Sequence, residues 1–416
     1  MVQTYLKGLL SSSEIFDAND LSVQKSTYTY DPFDRLLTVT DSRTGTVTYD
    51  VNNDGLGDYT DAGQVLAVRD AAGFETSMTY DKLGRTIITD APDTVDKDGN
   101  TLDNIVYSAY YLDGQLKAQW GATNPSFYEY DDQNRMTKLH TYKTVPPTFG
   151  TDPLLVSDES FALPTGSAVT TWNYNSQRGW LDSKVYDDDK GTDYTYTSAG
   201  RLASRVWERG VTTDYVYDEG QLIETLYSDD TPEVFCEYDE FGRKTSCEQR
   251  VNGVATNRCE YTYDATNLLL TEETISYGLD TATPFERTLL HDYDTILRKS
   301  NYQLTPDDTV LDATGIYTYD RAGRLATVAD ANDTHTYAYL ANSYGLLESV
   351  TSPAHKVTNT YELNRNVLTN KANTSLDGTT IFSNYAYNVN GIGQRDQRTM
   401  SAVSYTHLTL PTTSRV

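Results

Sequence analysis

A short phrase recurs, with variations, along almost the whole of this 416-residue chain. In its full form it has two tyrosines with one residue between them, followed by aspartate. From Tyr174 onward successive copies lie 20 to 30 residues apart, a period typical of proteins built from stacked supersecondary units. The repeat therefore predicts an extended array and not a fold organised around one central core. The second tyrosines of the copies are Tyr30, Tyr49, Tyr80, Tyr110, Tyr130, Tyr174, Tyr196, Tyr217, Tyr238, Tyr263, Tyr293, Tyr319, Tyr339, Tyr361 and Tyr387.

Each copy predicts a β-hairpin. Tyr317 and Tyr319 stand at i and i+2, so an extended strand places both rings on one face. The aspartate that follows can accept hydrogen bonds from backbone amides and opens a turn. Leu297 stands where other copies have a turn-forming residue and predicts a different loop there. In those other copies, the residue four positions after the second tyrosine tolerates positive φ, as a type I turn closed by one left-handed residue requires. These residues are Asp34, Gly84, Asn134, Gly200, Gly242, Asn267, Gly323 and Gly391.

Alternating apolar and β-branched residues after the turn, as in RLATVA (324–329), predict a return strand. A lone hairpin is marginal in water, so neighbouring hairpins are expected to pair edge to edge. Only 38 % of the residues are hydrophobic, although 34 are tyrosine, which disfavours a sheet buried on both faces. The predicted fold is all-β: tandem hairpins in a long curled antiparallel sheet that is part of a hollow β-shell.

Five phrases carry a family resemblance: YTYDPFDRL (28–36), MTYDKLGRT (78–86), YTYTSAGRL (194–202), CEYDEFGRK (236–244) and YTYDRAGRL (317–325). They resemble YD repeats, also called Rhs repeats, and the resemblance covers roughly residues 28–398. It implies a strip of hairpins that spirals into a hollow shell. In bacteria such shells commonly enclose a C-terminal toxic effector; related shells in animals mediate adhesion at cell surfaces.

Bacterial carriers of this family usually end in an aspartate-rich core motif, and neither that motif nor an effector follows Tyr387. The chain is therefore expected to be a fragment of a non-enzymatic bacterial shell, secreted or at the cell surface, whose export signal lies elsewhere. Its expected partners are an enclosed effector polypeptide and neighbouring YD-repeat segments. The alternative is an extracellular recognition protein that binds carbohydrate or another protein through exposed tyrosines.

Composition and repeat content divide the chain into segments. In order they are a lead-in (1–27), a repeat array with an inserted acidic loop at 50–61 (28–143), a proline-rich insertion (144–170), a second repeat array (171–398) and a non-native or disordered tail (399–416). The tail is expected because residues 404–416 resemble translated adapter sequence.

The proline-rich insertion predicts an irregular segment. Pro146, Pro147, Pro153 and Pro164 are incompatible with a regular central strand. A surface excursion between hairpins is the expected form, and a flap or partner-docking loop is the alternative.

One acidic loop, DVNNDGLGDYTD (50–61), has the pattern of a calcium site. Oxygen ligands stand at positions 1, 3, 5, 9 and 12, and a glycine stands at position 6 where such loops turn sharply. Aspartate and not glutamate occupies position 12, and no flanking helices are evident. A polar hairpin loop is the alternative, because these residue types also form turns. The candidate Ca²⁺ ligands are Asp50, Asn52, Asp54, Asp58 and Asp61.

Charge and apolar patterning disfavour two classes of partner. With 33 basic and 60 acidic residues the formal net charge is −27, which repels phosphate backbones and anionic lipid. No apolar run approaches the roughly 20 residues of a membrane span. We therefore expect neither nucleic-acid binding nor membrane insertion.

Residues that could perform chemistry form no candidate active site. The five histidines stand at no metal-ligand spacing, and no nucleophile or phosphate-loop motif occurs. The arginine after the turn recurs, which favours an architectural role on a neighbouring tyrosine face or with the preceding repeat's aspartate; a ligand-binding ladder is the alternative. Cys236 and Cys247 face each other if their hairpin turns at 241–242, but free buried thiols are the simpler expectation for them and for Cys259.

Overall fold

The computed structural model describes residues 1–95, 99–306, 313–330 and 332–401. These residues form an antiparallel sheet of 32 strands with one short 3₁₀ helix and one short α-helix. The predicted all-β, tandem-hairpin fold is confirmed. Neither helix in the described part of the chain is long and apolar enough to cross a membrane.

The strands of the first half are β1 (Val2–Leu6), β2 (Leu9–Phe16), β3 (Ser22–Tyr30), β4 (Leu36–Asp41), β5 (Gly45–Thr48), β6 (Ala67–Arg69), β7 (Glu75–Tyr80), β8 (Thr86–Val95), β9 (Thr101–Tyr110), β10 (Leu116–Gly121), β11 (Ser126–Tyr130), β12 (Met136–Thr141), β13 (Ala168–Tyr174), β14 (Leu181–Val185), β15 (Gly191–Tyr196) and β16 (Leu202–Trp207). The 3₁₀ helix (Pro147–Phe149) and the α-helix α1 (Pro153–Ser157) lie between β12 and β13.

The strands of the second half are β17 (Thr212–Asp218), β18 (Gln221–Tyr227), β19 (Glu233–Tyr238), β20 (Lys244–Val251), β21 (Val254–Tyr263), β22 (Leu270–Tyr277), β23 (Phe285–Tyr293), β24 (Lys299–Pro306), β25 (Ala313–Tyr319), β26 (Leu325–Ala329), β27 (Thr334–Tyr339), β28 (Leu347–Thr351), β29 (Lys356–Tyr361), β30 (Leu368–Thr374), β31 (Ile381–Val389) and β32 (Arg395–Ser401). The predicted lead-in (1–27) forms the first hairpin and part of β3. The predicted tail begins inside β32, and its residues 404–416 lie outside the described residues.

Hairpins follow one another along the chain, and in most of them the strand register shifts at the second tyrosine. In the hairpin of β19 and β20, Glu237 pairs with Ser246, and the register then shifts so that Tyr238 pairs with Lys244. The turn between them closes with Gly242 at φ 76°. A type I turn followed by one left-handed residue produces this bulge, so residues adjacent in the chain set the geometry of this hairpin.

Three predicted turn positions need correction. Leu297 adopts φ 66° and its turn has the same backbone hydrogen bonds as the glycine turns, so that loop does not differ. In the longer loop after Tyr263, Leu268 at φ 64° takes the left-handed position that Asn267 was expected to hold. After Tyr387 the turn begins two residues later, and Gly393 at φ 81° replaces Gly391. Neighbouring strands can therefore impose a left-handed conformation on leucine.

The first array contains a repeat that the tyrosine spacing misplaced. Tyr59, and not Tyr49, precedes the turn. The carbonyl of Thr60 accepts from the amide of Gly63, and the amide of Thr60 donates to the carbonyl of Gln64, as the backbone of the turn aspartate does elsewhere. Residues 50–58 are therefore an excursion inserted before the turn. Asp61 belongs to the turn itself.

The insertion after β12 covers the sheet and is more than a surface excursion. Residues 144–166, hereafter the cap, bury Phe149 to 1 % exposure and Val156 to 0 % against the sheet residues Trp120 and Phe127. No strand forms within the cap, as its prolines predict. This apolar cluster lies in the compact unit of residues 107–316; residues 1–106 and the described part of 317–416 form a second compact unit.

Candidate functional site

A repeated contact joins each hairpin to the one before it. The hydroxyl of the second tyrosine donates to a backbone carbonyl near the start of the preceding return strand, with Oη to O distances of 2.6 to 3.1 Å. The donor and acceptor pairs are Tyr30–Leu10, Tyr59–Leu36, Tyr80–Val65, Tyr130–Leu116, Tyr174–Met136, Tyr196–Leu181, Tyr238–Leu222, Tyr263–Lys244, Tyr293–Leu270, Tyr339–Leu325 and Tyr361–Leu347.

The arginine after the turn completes this contact, as one copy shows. The Arg243 guanidinium lies 4.3 Å from the ring centroid of Tyr263 in the next hairpin, whose hydroxyl donates to the carbonyl of Lys244. Arg243 also donates through Nη1 to the carbonyl of Leu268 in the next turn, at 3.2 Å. The tyrosine therefore rests on the arginine and reaches past it to the following carbonyl. We call the tyrosine–carbonyl contact between successive hairpins the clasp. In the clasps of Tyr59, Tyr174, Tyr263 and Tyr339, an arginine of the preceding hairpin also stacks on the tyrosine ring.

The turn aspartate holds the arginine in position. Asp239 accepts from the backbone amides of Phe241 and Arg243 through Oδ1 and from Nε of Arg243 through Oδ2 at 2.7 Å. Charge-assisted pairing of this geometry restricts the guanidinium to one plane. Comparable aspartate–arginine pairs are Asp31–Arg35, Asp81–Arg85, Asp131–Arg135, Asp294–Arg298 and Asp320–Arg324.

The clasp shifts the titration of both its acid and its phenol groups. A hydrogen bond from Arg135 lowers the pKa of Asp131 below its ordinary value. Burial raises the pKa of the clasp tyrosines Tyr174 and Tyr339, and raises the pKa of Tyr59 to about 12. The aspartates are thus held ionised and the tyrosines protonated.

The sequence expectation for the arginine was partly wrong. Stacking on a neighbouring tyrosine occurs, but the paired aspartate belongs to the arginine's own turn and not to the preceding repeat. Both interactions occur at once in the same side chain. The sequence did not show which backbone carbonyl each tyrosine hydroxyl donates to. The spacing of tyrosines in one strand shows on which face of the sheet the rings lie, but not which neighbouring strand their hydroxyls contact.

The unit formed by residues 1–106 and 317–401 contains a second kind of contact between repeats. Turns of the late hairpins lie against connecting loops of the early ones: Arg43 Nε donates to Asn366 Oδ1 at 2.7 Å, and Ala18 N donates to the carbonyl of Arg321 at 2.8 Å. Arg365 lies 4.7 Å from the ring centroid of Phe74. Hairpins thus associate in two ways. Neighbouring strands pair along the sheet, and turns contact the loops of hairpins that are distant in sequence.

The candidate calcium residues lie in two separate places. Asp50 accepts from the amides of Asp54 and Gly55, and Asp58 accepts from the amide of Val51. Asn52 accepts from the amide of Asp54, so these side chains satisfy the loop's own backbone. Asp61 stands apart in the following turn.

This geometry favours the polar-turn alternative for residues 50–58. Carboxylates that accept from local amides form Asx turns, which explain the same residue types without an ion. Within the described residues, no group of three or more His, Cys, Asp or Glu side chains is placed to hold a metal ion. Calcium binding stays a prediction.

The capped region contains two buried polar groups that sequence reasoning missed. Lys117 is 3 % exposed, and its Nζ donates to the carbonyl of Asp158 at 2.7 Å among the rings of Tyr111, Phe127 and Phe161. Burial lowers its pKa. The ammonium therefore ties the part of the cap directly after α1 to the sheet.

His140 links three neighbouring segments. Its Nε2 lies 2.7 Å from Glu129 Oε1, and its Nδ1 lies 3.0 Å from Ser167 Oγ. Hydroxyl, imidazole and carboxylate also form the relay of nucleophilic hydrolases, but there the hydroxyl is bound to Nε2 and the carboxylate to Nδ1. The reversed arrangement, set across paired strands, is that of a structural polar network.

The cysteines differ from the expectation of free thiols. Cys236 and Cys247 are directly opposite each other in β19 and β20 and form a disulfide. Cys259 is free and half-buried. The hairpin turn places the first pair together, as the spacing of the two residues allowed.

Comparisons with known proteins identify one family within the chain. Residues 59–95 match the family model described as RHS Repeat. The match begins at the tyrosine of the repeat that the structure located. No curated protein sequence matches the chain.

Several solved structures are similar to this chain at low sequence identity. TcdB2-TccC3-TEV is 13 % identical, with a TM-score of 0.43 over 96 % of this chain and 26 % of the solved chain. A Tc holotoxin pore of Photorhabdus luminescens with a TccC3 variant is 13 % identical, with a TM-score of 0.43 over 94 % and 25 %. TcdB2-TccC3 is 13 % identical, with a TM-score of 0.40 over 95 % and 27 %. The chain spans about a quarter of the length of these solved chains.

Proposed function

We propose that this chain, an Rhs/YD-repeat protein, is a wall segment of a secreted or cell-surface bacterial shell that encloses a C-terminal toxin or effector polypeptide. The segment's role is structural and non-enzymatic. Its partners are the enclosed polypeptide and neighbouring YD-repeat segments.

The observation that carries this proposal is the clasp. At most steps a hairpin offers a carbonyl to the tyrosine of the next hairpin, and at several steps it also offers a guanidinium, so the joint recurs along the array. A joint of this kind lengthens a sheet without a large apolar core between the hairpins. Contacts between turns and loops, such as Arg43–Asn366, join repeats that are distant in sequence. Together these joints suit a continuous wall.

Charge and surface composition are compatible with this role. The formal net charge of −27 opposes binding to nucleic acids and to anionic membranes, so the wall is expected to remain solvated. The enclosed polypeptide would be protected by exclusion from solvent and not by a specific binding pocket.

Protease protection tests the proposal in the full natural polypeptide that contains this segment. We expect a stretch outside the repeat array to resist digestion in the wild type. The same stretch should become cleavable when three consecutive clasps are removed by Tyr238→Phe, Tyr263→Phe and Tyr293→Phe. Equal cleavage of that stretch in the native and the denatured wild type would overturn the encapsulation proposal.

One surface favours the alternative, carbohydrate recognition. Tyr186 and Trp207 are 48 % and 37 % exposed and line a cavity of about 660 Å³ together with Asp188, Lys190 and Glu208. Exposed rings beside hydrogen-bonding side chains suit the apolar face and the hydroxyls of a sugar. Glycan-array binding by the wild type that Trp207→Ala abolishes and Trp180→Phe retains would support recognition. Absence of glycan binding would remove this alternative.

A further inference from the structure

The three cysteines form one row across three neighbouring strands. Cys236 of β19 is opposite Cys247 of β20, and Cys247 is opposite Cys259 of β21. Residues directly opposite each other in antiparallel strands point to the same face. The free Cys259 thiol therefore lies beside the disulfide, on the side of Cys247 away from Cys236.

Strand geometry decides which pairs can be bridged. The Cα atoms of Cys236 and Cys247 are 4.1 Å apart, as in a non-hydrogen-bonded pair. Cys247 must then form the hydrogen-bonded pair with Cys259, whose Cα atoms are about 5.5 Å apart in such pairs. Cys236 and Cys259 are two strand spacings apart, about 9.6 Å. Disulfides require less than about 7 Å, so Cys247 can bridge either neighbour while the outer two cannot bridge each other.

Cys236 also lines a cavity of about 670 Å³. Strand alternation places the lining residues Glu224, Glu237 and Arg250 on the face opposite the cysteine row. The other lining carboxylates belong to two hairpin turns, and among the described lining residues no cation lies on the cysteine face, so the cavity attracts cations and repels anions. These carboxylates are those of Asp218, Glu219, Asp239 and Glu240.

We propose that the cysteine row is a redox-active site that delivers the Cys236 thiol to this acidic cavity, where it reacts with small cationic disulfides. The Cys259 thiolate attacks Sγ of Cys247, and the new bond forms as the Cys247–Cys236 bond breaks. The electron pair passes to Sγ of Cys236, which takes up the proton that Cys259 lost. The exchange needs no oxidant, because one disulfide and one thiol are present before and after it.

The second step is an ordinary thiol–disulfide exchange. The Cys236 thiolate attacks one sulfur of the cationic disulfide, a mixed disulfide forms, and the other half of the reagent leaves as a thiolate. The row aligns the attacking, central and leaving sulfurs along the hydrogen-bonding direction of the sheet. The first exchange therefore requires no change of strand register.

Disulfide mapping of three variants tests the pivot role of Cys247. Under mild oxidation and non-reducing digestion, Cys236→Ser should form the 247–259 bridge and Cys259→Ser should keep the 236–247 bridge. Cys247→Ser should leave two free thiols. Circular dichroism of each variant confirms that the sheet has formed. Two free thiols in Cys236→Ser, or a 236–259 bridge in folded Cys247→Ser, would overturn the proposal.

Charged probes test the cavity step in the wild-type chain. Cystamine, a dication, should modify Cys236 roughly tenfold faster than dithiodipropionate, a dianion, because of the acidic lining. In Cys259→Ser, cystamine should modify no cysteine, since Cys236 stays bridged. Equal rates with the two reagents, or modification of Cys259 in place of Cys236, would contradict the proposed site.

Discussion

The capped region and the clasped hairpins use the same strands but are stabilised in different ways. Around the cap, Trp120, Phe149 and Val156 are at most 1 % exposed and form an apolar cluster. In the hairpins of residues 191–277, the second tyrosines Tyr217, Tyr238 and Tyr263 each contribute a hydrogen bond or a ring contact to the preceding hairpin. One region excludes water from an apolar interior, whereas the other joins successive units through polar groups.

This difference shows how a chain with few apolar residues can hold a long sheet. A tyrosine buries its ring on the arginine and still satisfies its hydroxyl, so it contributes apolar area without leaving a polar group unpaired. Because most units repeat the hydroxyl-to-carbonyl contact, stability is expected to accumulate over nearest neighbours. The cap supplies the local apolar core that the repeat itself lacks.

Alkaline pH should weaken the clasps most strongly, because it acts on many of them at once. Burial raises the pKa of the clasp tyrosine Tyr59 to about 12 and raises the pKa of the clasp tyrosines Tyr130, Tyr174 and Tyr293. A pKa raised by folding stabilises the protein below the unfolded value near 10 and loses that effect as pH rises toward 12. Tyrosinate absorbance should lag in the folded chain and rise together with loss of the β-sheet signal. If the buried tyrosines instead ionise near pH 10 while the β-sheet signal stays unchanged, the predicted link between the clasps and stability is wrong.

The next largest effect is expected from Phe149→Ala in the cap. Phe149 is 1 % exposed, and its ring centroid lies 5.0 Å from that of Trp120. Truncating a buried phenylalanine costs about 3–5 kcal/mol of unfolding free energy. Tryptophan fluorescence during urea unfolding should show an earlier transition. The exposed cap residue Leu155 (67 % exposed) provides the control Leu155→Ala, which should change little.

Removing one clasp should cost less than removing the cap's core residue. Tyr263→Phe keeps the ring on Arg243 but deletes the 2.9 Å hydrogen bond to the carbonyl of Lys244. The expected loss is about 0.5–1.5 kcal/mol, plus the cost of any carbonyl left unsatisfied. Hydrogen exchange of β20 and β21 should report it locally. Tyr277→Phe is the matched control, since Tyr277 is 53 % exposed; equal effects of the two would argue against the clasp.

The smallest effect concerns the acidic loop of residues 50–61. Binding of Ca²⁺ there predicts a rise in the thermal midpoint in millimolar calcium that Asp54→Asn removes and Asp61→Asn preserves, because Asp61 lies in the neighbouring turn. An unchanged midpoint in the wild type would leave the loop a polar turn. Differential scanning fluorimetry with and without a chelator measures it.

Much of the hairpin design could be predicted from sequence, because each turn is closed by residues adjacent in the chain. Asp239, Gly242 and Arg243 illustrate this: one aspartate accepts from amides two and four residues later, and glycine supplies the positive φ. The candidate calcium loop was harder to judge. Its pattern of oxygen side chains is shared by ion sites and Asx turns, and only the direction of each carboxylate separates them.

The sequence by itself determined the period, the hairpins and the position of most turns, since these depend on backbone preferences within a few residues. The tertiary structure decided which carbonyl each tyrosine reaches, that the proline-rich segment packs over Trp120, and that Cys247 stands between two cysteines. These features depend on the register of neighbouring strands and on contacts between distant segments. The spacing of side chains along one strand shows on which face of the sheet each side chain lies. It does not show which residue of the neighbouring strand lies opposite.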